Sequence, residues 1–321
     1  MPLVDMKNML SHAYSHGYAV GAFGVAGWDI LEGVVEGAEN MRAPIILSVS
    51  KFYPGTDNIE SLARAVIEMG QRASIPVAFQ IEVRDTSEAA QAAIEMGCGG
   101  VVFNASSRPL TENVSLTQKV VGLAQPHDVM VVGQVGLLEN DQANEGEESS
   151  GSGTTSPLEA KYYVERTGVE CLAVSVKPLN RSGNKYDFTR LSKINQTVGI
   201  PLGIHDSVGF TDDQLRRMIG FGAAKINYSS TLLDIAAKRI RDNALAGAEG
   251  YAAIMAGVRD VVRLEVERCI KVWGSGGRAA ELLLQCKLHE PFTKKIAPGA
   301  GEVKAGGSAE KIKPVFGRLT L

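Results

Sequence analysis

Three residues combine a reactive side chain with the same local setting. Lys177 ends the run Leu172-Ala-Val-Ser-Val-Lys177, His205 ends Ile200-Pro-Leu-Gly-Ile-His205, and Glu82 stands in Phe79-Gln80-Ile81-Glu82-Val83-Arg84. Short apolar runs of this kind read as parallel strands covered on both faces, and the C-terminal strand ends of closed α/β barrels carry their chemistry. An amine placed there forms an iminium with a carbonyl compound, and the positive nitrogen takes up the electrons released when a carbon–carbon bond breaks. The amine must first lose its proton, which burial or a nearby cation such as Arg181 or Arg84 promotes. Lys177 also has two plainer readings: it binds a carboxylate or phosphate, or it lies past its strand in water. Glu82 has one too, as a structural ion-pair partner of Arg84 or Arg108. Tyr228 is a candidate proton relay, and Ser48 and Ser50, ending the second strand, and Asn104, ending the fourth, are candidate substrate contacts. Lys225 follows an ordinary strand pattern and reads as structural, while Trp28 and Trp273 read as packing residues.

The elements that must position these residues alternate along the chain. Strands are expected over 18–23, 44–50, 76–82, 100–104, 129–135, 171–177, 201–205 and 224–228, with amphipathic helical segments such as 58–72, 87–96 and 158–167 between them. Met96-Gly97, Thr167-Gly168, Gly199-Ile200-Pro201 and Gly220-Phe221-Gly222 stop helices just before strands, as helix-terminating glycines do. Eight such β-then-α units predict a (β/α)8 TIM barrel over residues 1–280 rather than an open sheet. Residues 139–156 are acidic and rich in Gly and Ser; following the fifth strand, they read as a loop over the barrel mouth, where lids sit. Residues 281–321 form a C-terminal extension, read either as an arm on a partner subunit or as a free end.

Bulk composition narrows the function. The chain has 321 residues, 45% hydrophobic, enough for one large core. A net charge of -3 gives no electrostatic case for nucleic acid or an anionic membrane. No apolar run reaches the roughly 18–20 residues of a membrane span. The start, Met1-Pro2-Leu3-Val4-Asp5, lacks the basic and apolar regions of a signal peptide. Cys98, Cys171, Cys269 and Cys286 are scattered, with no Cys-x-x-Cys pair, as in a reduced cytoplasmic protein.

Several segments, in order and with compatible spacing over residues 3–280, resemble the class II (ketose-bisphosphate) aldolases. These are Tyr18-Ala-Val-Gly-Ala-Phe23, Thr154-Thr-Ser-Pro-Leu-Glu-Ala-Lys161 with Val164-Glu-Arg-Thr-Gly-Val169, Ile200-Pro-Leu-Gly-Ile-His205, Ala224-Lys-Ile-Asn227 and Trp273-Gly-Ser-Gly-Gly-Arg278. The resemblance implies a metal-dependent reaction: zinc on three histidines polarises a ketone and stabilises the enediolate left by bond cleavage. It also implies departures. Where the family's third strand ends Leu-His-Leu-Asp-His-Gly, the catalytic aspartate is replaced by Glu82 and the first zinc histidine by Val83. The fifth-strand glutamate is replaced by Gln134, and the sixth-strand Ser-His-Gly gives way to Lys177-Pro-Leu-Asn180-Arg181. Only His205 remains at a ligand position, and Asn227, which in the family contacts the enediol end of substrate, is kept. The phosphate-binding loop, His-Gly-Gly-Ser-Gly in the family, is His205-Asp206-Ser207-Val208-Gly209, and an acid there repels a phosphate.

The histidine count agrees independently. Of five histidines, His12 and His16 fall in the first helix, His127 precedes a strand at the barrel bottom and His289 lies past the barrel, leaving His205 alone at the mouth. No zinc and no other cofactor is expected; Glu82, Asp206 and His205 remain as an oxygen and nitrogen set for a hard cation such as magnesium or manganese. The expected function is a metal-independent carbon–carbon lyase or synthase on a small keto or aldehyde sugar-like compound, with or without one phosphate. Lys177, Glu82 and His205 are the expected catalytic residues, and Asn227, Ser50, Asn104, Gln134, Asn180, Arg181, Asp206 and Tyr228 the substrate contacts. The alternative is an inactive barrel kept as a sugar-phosphate-binding or structural subunit. The family resemblance implies a homo-oligomer, dimer or tetramer.

Overall fold

The computed structural model describes residues 3–50, 58–136, 155–176, 186–205 and 209–291. Eight parallel strands close on themselves in sequence order, β1 pairing with β8. They are β1 (Val20–Gly24), β2 (Ile45–Ser50), β3 (Val77–Arg84), β4 (Gly100–Asn104), β5 (Met130–Val135), β6 (Cys171–Val174), β7 (Leu202–Ile204) and β8 (Ala223–Tyr228). The helices among the described residues are α1 (Met6–His16), α2 (Trp28–Asn40), α3 (Ile59–Arg72), α4 (Ser87–Glu95), α5 (Leu110–Ala124), α6 (Pro157–Thr167), α7 (Phe188–Val198), α8 (Asp212–Gly220), α9 (Ser230–Leu245), α10 (Tyr251–Met255), α11 (Val258–Trp273) and α12 (Ala279–Gln285). This is the (β/α)8 barrel that the alternation predicts. The mouth ends differ most at β3, which runs on to Arg84, and at β6, which stops at Val174.

Local sequence explains where the helices begin and end. Ser156 and Glu159 form a reciprocal capping box at the start of α6, and Thr211 with Gln214 does the same for α8. Gly168 and Gly199 end α6 and α7 in the left-handed region, which glycine enters without a Cβ penalty.

The barrel core has two halves. Its lower half is apolar: Val20, Ala22, Ile46, Ala78, Val102, Met130, Val132, Cys171 and Ala173 meet Met6, Met9, Leu10 and Ala13 of α1, which plugs the bottom. Each fully buried plug residue of this size contributes roughly 1.5–3 kcal/mol relative to exposure. Gly100 belongs to this fit, because a Cβ there would run into the Met6 methyl. The plug is clasped by the end of the described chain: Leu288 bridges Val4, and Lys287 N donates to Asp5 Oδ1 at 2.7 Å. A second core lies between strands and helices, where Trp273 stacks on Phe23 at 5.7 Å. Trp28, expected to pack, is instead 56% exposed at the start of α2, on the mouth side. No helix among the described residues is long and apolar enough to cross a membrane, and the four cysteines are unpaired.

Candidate active site

Above the apolar layer the inner face of the barrel turns polar. Strand alternation carries Ser48 and Ser50 of β2, Gln80 and Glu82 of β3, Asn104 of β4, Gln134 of β5 and Lys225 and Asn227 of β8 into the interior, while their neighbours face the helices. Ser48, Ser50, Gln80, Gln134 and Lys225 are each at most 1% exposed. Burying this many polar groups is costly unless they are paired or await a polar ligand.

Three expected residues meet at one point. Asn227 Nδ2 lies 3.4 Å from Glu82 Oε1 and 3.1 Å from His205 Nδ1, although the three stand on β3, the end of β7 and β8. Ser50 adjoins this group, being in register with Glu82 across the β2–β3 pair. On the opposite wall Asn104 and Gln134 are linked through Ser106, whose hydroxyl donates to Asn104 Oδ1 at 2.7 Å and accepts from Gln134 Nε2 at 3.4 Å. Gln80 Nε2 donates to Ser48 Oγ at 2.9 Å. The side-chain oxygens of Gln80 and Gln134 are buried without a hydrogen-bond partner. An orphaned buried acceptor costs about 1–3 kcal/mol, so each is a place for a water or a ligand hydroxyl.

Lys225, read from the sequence as structural, belongs to this group. Its amine donates to Asn227 Oδ1 at 2.5 Å, and among the described residues it forms no ion pair. The bond orients the Asn227 amide, turning Nδ2 toward Glu82 and His205. Burial lowers the Lys225 pKa, opposed by the nearby Cys171 and Glu82. Desolvation likewise lowers His205, helped by Lys225 and Arg84, to about 3. A neutral imidazole is what an amide N–H needs in order to donate to it.

Tyr228 is the correction on the other side. It follows Asn227 in β8 and so points outward, where its hydroxyl donates to Glu265 of α11 and its ring packs edge-on against Trp273 at 5.6 Å. Burial raises its pKa, as do Cys269 and Glu265. It is an anchor between sheet and helix, remote from the inner chamber. Lys177, Asn180, Arg181 and Asp206 lie outside the described residues, as do most of the loop at 139–156 and residues 292–321.

The donors described do not fit a zinc ion. Among the described residues no three His, Cys, Asp or Glu side chains gather as a metal site. Val83 faces the helix layer as part of the outer core, and an amide, a poor zinc ligand, stands between Glu82 and His205.

Known proteins share this architecture. The family model described as fructose-bisphosphate aldolase class-II matches residues 4–278. A Bacillus subtilis protein named probable fructose-bisphosphate aldolase is 30% identical over 87% of this chain and 100% of its own length. The fructose-bisphosphate aldolase of Geobacillus stearothermophilus is 29% identical over 88% of this chain and 100% of its own. Among solved structures, the YdjI aldolase of Escherichia coli K12 superposes with a TM-score of 0.76 at 26% identity, covering 86% of this chain and 99% of that one.

Proposed function

The chain belongs to the class II fructose-bisphosphate aldolase family, and from that premise we propose that it is an aldolase-type carbon–carbon lyase that works without zinc. The observation that carries this reading is the convergence of Glu82 and His205 on Asn227 in a polar chamber that lacks a three-donor metal set among its described residues. Glu82 is the general acid–base: its carboxylate takes the proton from the hydroxyl beside the breaking bond and returns it in the synthetic direction. Asn227 and the neutral His205 hold substrate oxygens, and the free acceptors on Gln80 and Gln134 receive its hydroxyl protons. The electron sink is a lysine iminium in place of a metal ion, Lys177 being the candidate that the sequence offers. Relatives are named for fructose bisphosphate. Here Asp206 stands in the segment matching their phosphate loop, which favours a smaller keto or aldehyde sugar-like substrate with at most one phosphate.

The test is aldol cleavage and condensation of ketose and ketose-monophosphate panels by protein dialysed against a strong chelator. Turnover that survives dialysis is expected. Turnover that requires one added zinc per chain would sink the reading.

A further inference from the structure

We propose that Lys225 is the amine that captures the substrate carbonyl. The proposal rests on the zinc-free aldolase reading and names the residue that serves it. A lysine inside a closed barrel needs a reason, because a buried ammonium without a carboxylate contact is expensive. Lys225 is 1% exposed, and its one hydrogen bond among the described residues is to the neutral oxygen of Asn227. Burial favours the free base of an amine so placed, and a free-base amine is a nucleophile. The backbone makes room for it. Gly203 is its register partner on β7, so no side chain projects beside the lysine from that strand. The group directly above the amine is Asn227, and that same amide touches Glu82 and His205, the acid–base and the neutral imidazole. A turn of the Asn227 side chain uncovers the amine and frees the amide for the substrate oxygen.

The steps balance with water as the only co-reactant. The amine adds to the carbonyl carbon, the carbonyl oxygen gains a proton, and loss of water leaves the iminium. Glu82 removes the proton of the hydroxyl on the far carbon of the bond that breaks; that carbon departs as the aldehyde, and the bonding pair moves through the new enamine to the nitrogen. Protonation of the enamine carbon and hydrolysis release the ketone and restore the free amine.

The experiment is borohydride reduction of the wild-type chain in the presence of dihydroxyacetone phosphate, dihydroxyacetone or hydroxypyruvate, followed by peptide mapping by mass spectrometry. The expected result is about one reduced adduct per chain, on the peptide containing Lys225. Lys225→Met, checked for folding by its melting curve, should lose that adduct. The mapping itself uses the wild type, so a variant that fails to fold does not decide the matter. An adduct on another lysine, or none with any of the three probes, overturns the proposal. An adduct on Lys177 overturns the assignment to Lys225 while leaving the zinc-free reading standing; loss of turnover on chelation overturns that reading itself.

Discussion

The Lys225 amine and the Asn227 carbonyl oxygen, 2.5 Å apart on one face of β8, determine which way the Asn227 amide points. With its oxygen engaged below, the amide presents its N–H groups to Glu82 and His205 above. One residue thus couples a buried amine to a carboxylate and an imidazole higher in the barrel, and several outcomes depend on it.

Glu82→Gln keeps the shape of the side chain and its contact with Asn227 but removes the proton acceptor. The expected loss in kcat is about 10²–10⁴, with KM changed little, since a positioned acid–base contributes on that scale. Steady-state kinetics on the substrate found by the panel measures it; a kcat within threefold of wild type would remove Glu82 from the chemistry.

Tyr228→Phe should behave in the opposite way. The hydroxyl bonds Glu265 behind the barrel, so its loss weakens the sheet-to-α11 anchor by about 1.5–3 kcal/mol, the range for a bond to a charged group. Turnover should stay within about twofold. Denaturant unfolding and kinetics on the same sample separate the two effects, and a large kcat loss at unchanged stability would restore a proton-relay role.

Acid should destabilise the fold partly through His205. The folded-state imidazole titrates near 3, against about 6.5 when unfolded, so between those values the unfolded chain holds the extra proton. Its stabilising share is complete above about pH 6.5 and drains as the pH falls, by up to about 1.4 kcal/mol per unit. His12 and His289, also lowered by burial, add to the slope. His205→Gln should flatten the dependence of unfolding free energy on pH between about 6.5 and 4; an unaltered slope would show that His205 titrates normally.

Lys225→Met replaces a buried amine with an apolar side chain of similar length. Because burial lowers the folded-state pKa, protonation of the amine favours the unfolded chain, which costs the folded state free energy that the variant recovers. The melting temperature should rise by about 2–4 °C per kcal/mol recovered while activity is lost, the trade typical of a group kept for function. A lower melting temperature would mark the lysine as a structural tie.

Much of this was legible in the chain. Continuous apolar runs separated by capped helices announce eight strands, and β4 occupies the expected residues Gly100–Asn104. The site is less legible, and strand alternation explains why. Lys225 and Asn227 are two residues apart and must share a face, while Tyr228 must take the other. Judging Lys225 by its apolar neighbours, and Tyr228 by its adjacency to Asn227, overlooked that period of two. The contact of Asn227 with Glu82 joins residues 145 positions apart, which no local pattern announces. Gln80 carries no such signal, because an amide inside a strand usually signifies nothing more than a satisfied bond, whereas Ser48 is readable beside Ser50 at the end of its strand.

The β7–β8 pair carries one irregularity: Leu202 aligns with Ala223, but Gly203 aligns with Lys225, so Ala224 is an extra residue between two regular stretches. Below it β8 keeps step with the base of β7; above it the strand keeps step with β1, where Val20 faces Lys225 and Ala22 faces Asn227. Shortening the chain by this single alanine would lead Ala223 straight into Lys225 opposite Leu202 and Gly203, an unbulged pairing that also keeps Lys225 opposite Val20. The lysine and the amide would keep their inward places, and what β8 would lose is the extra twist that a bulge imparts at the floor of the polar chamber.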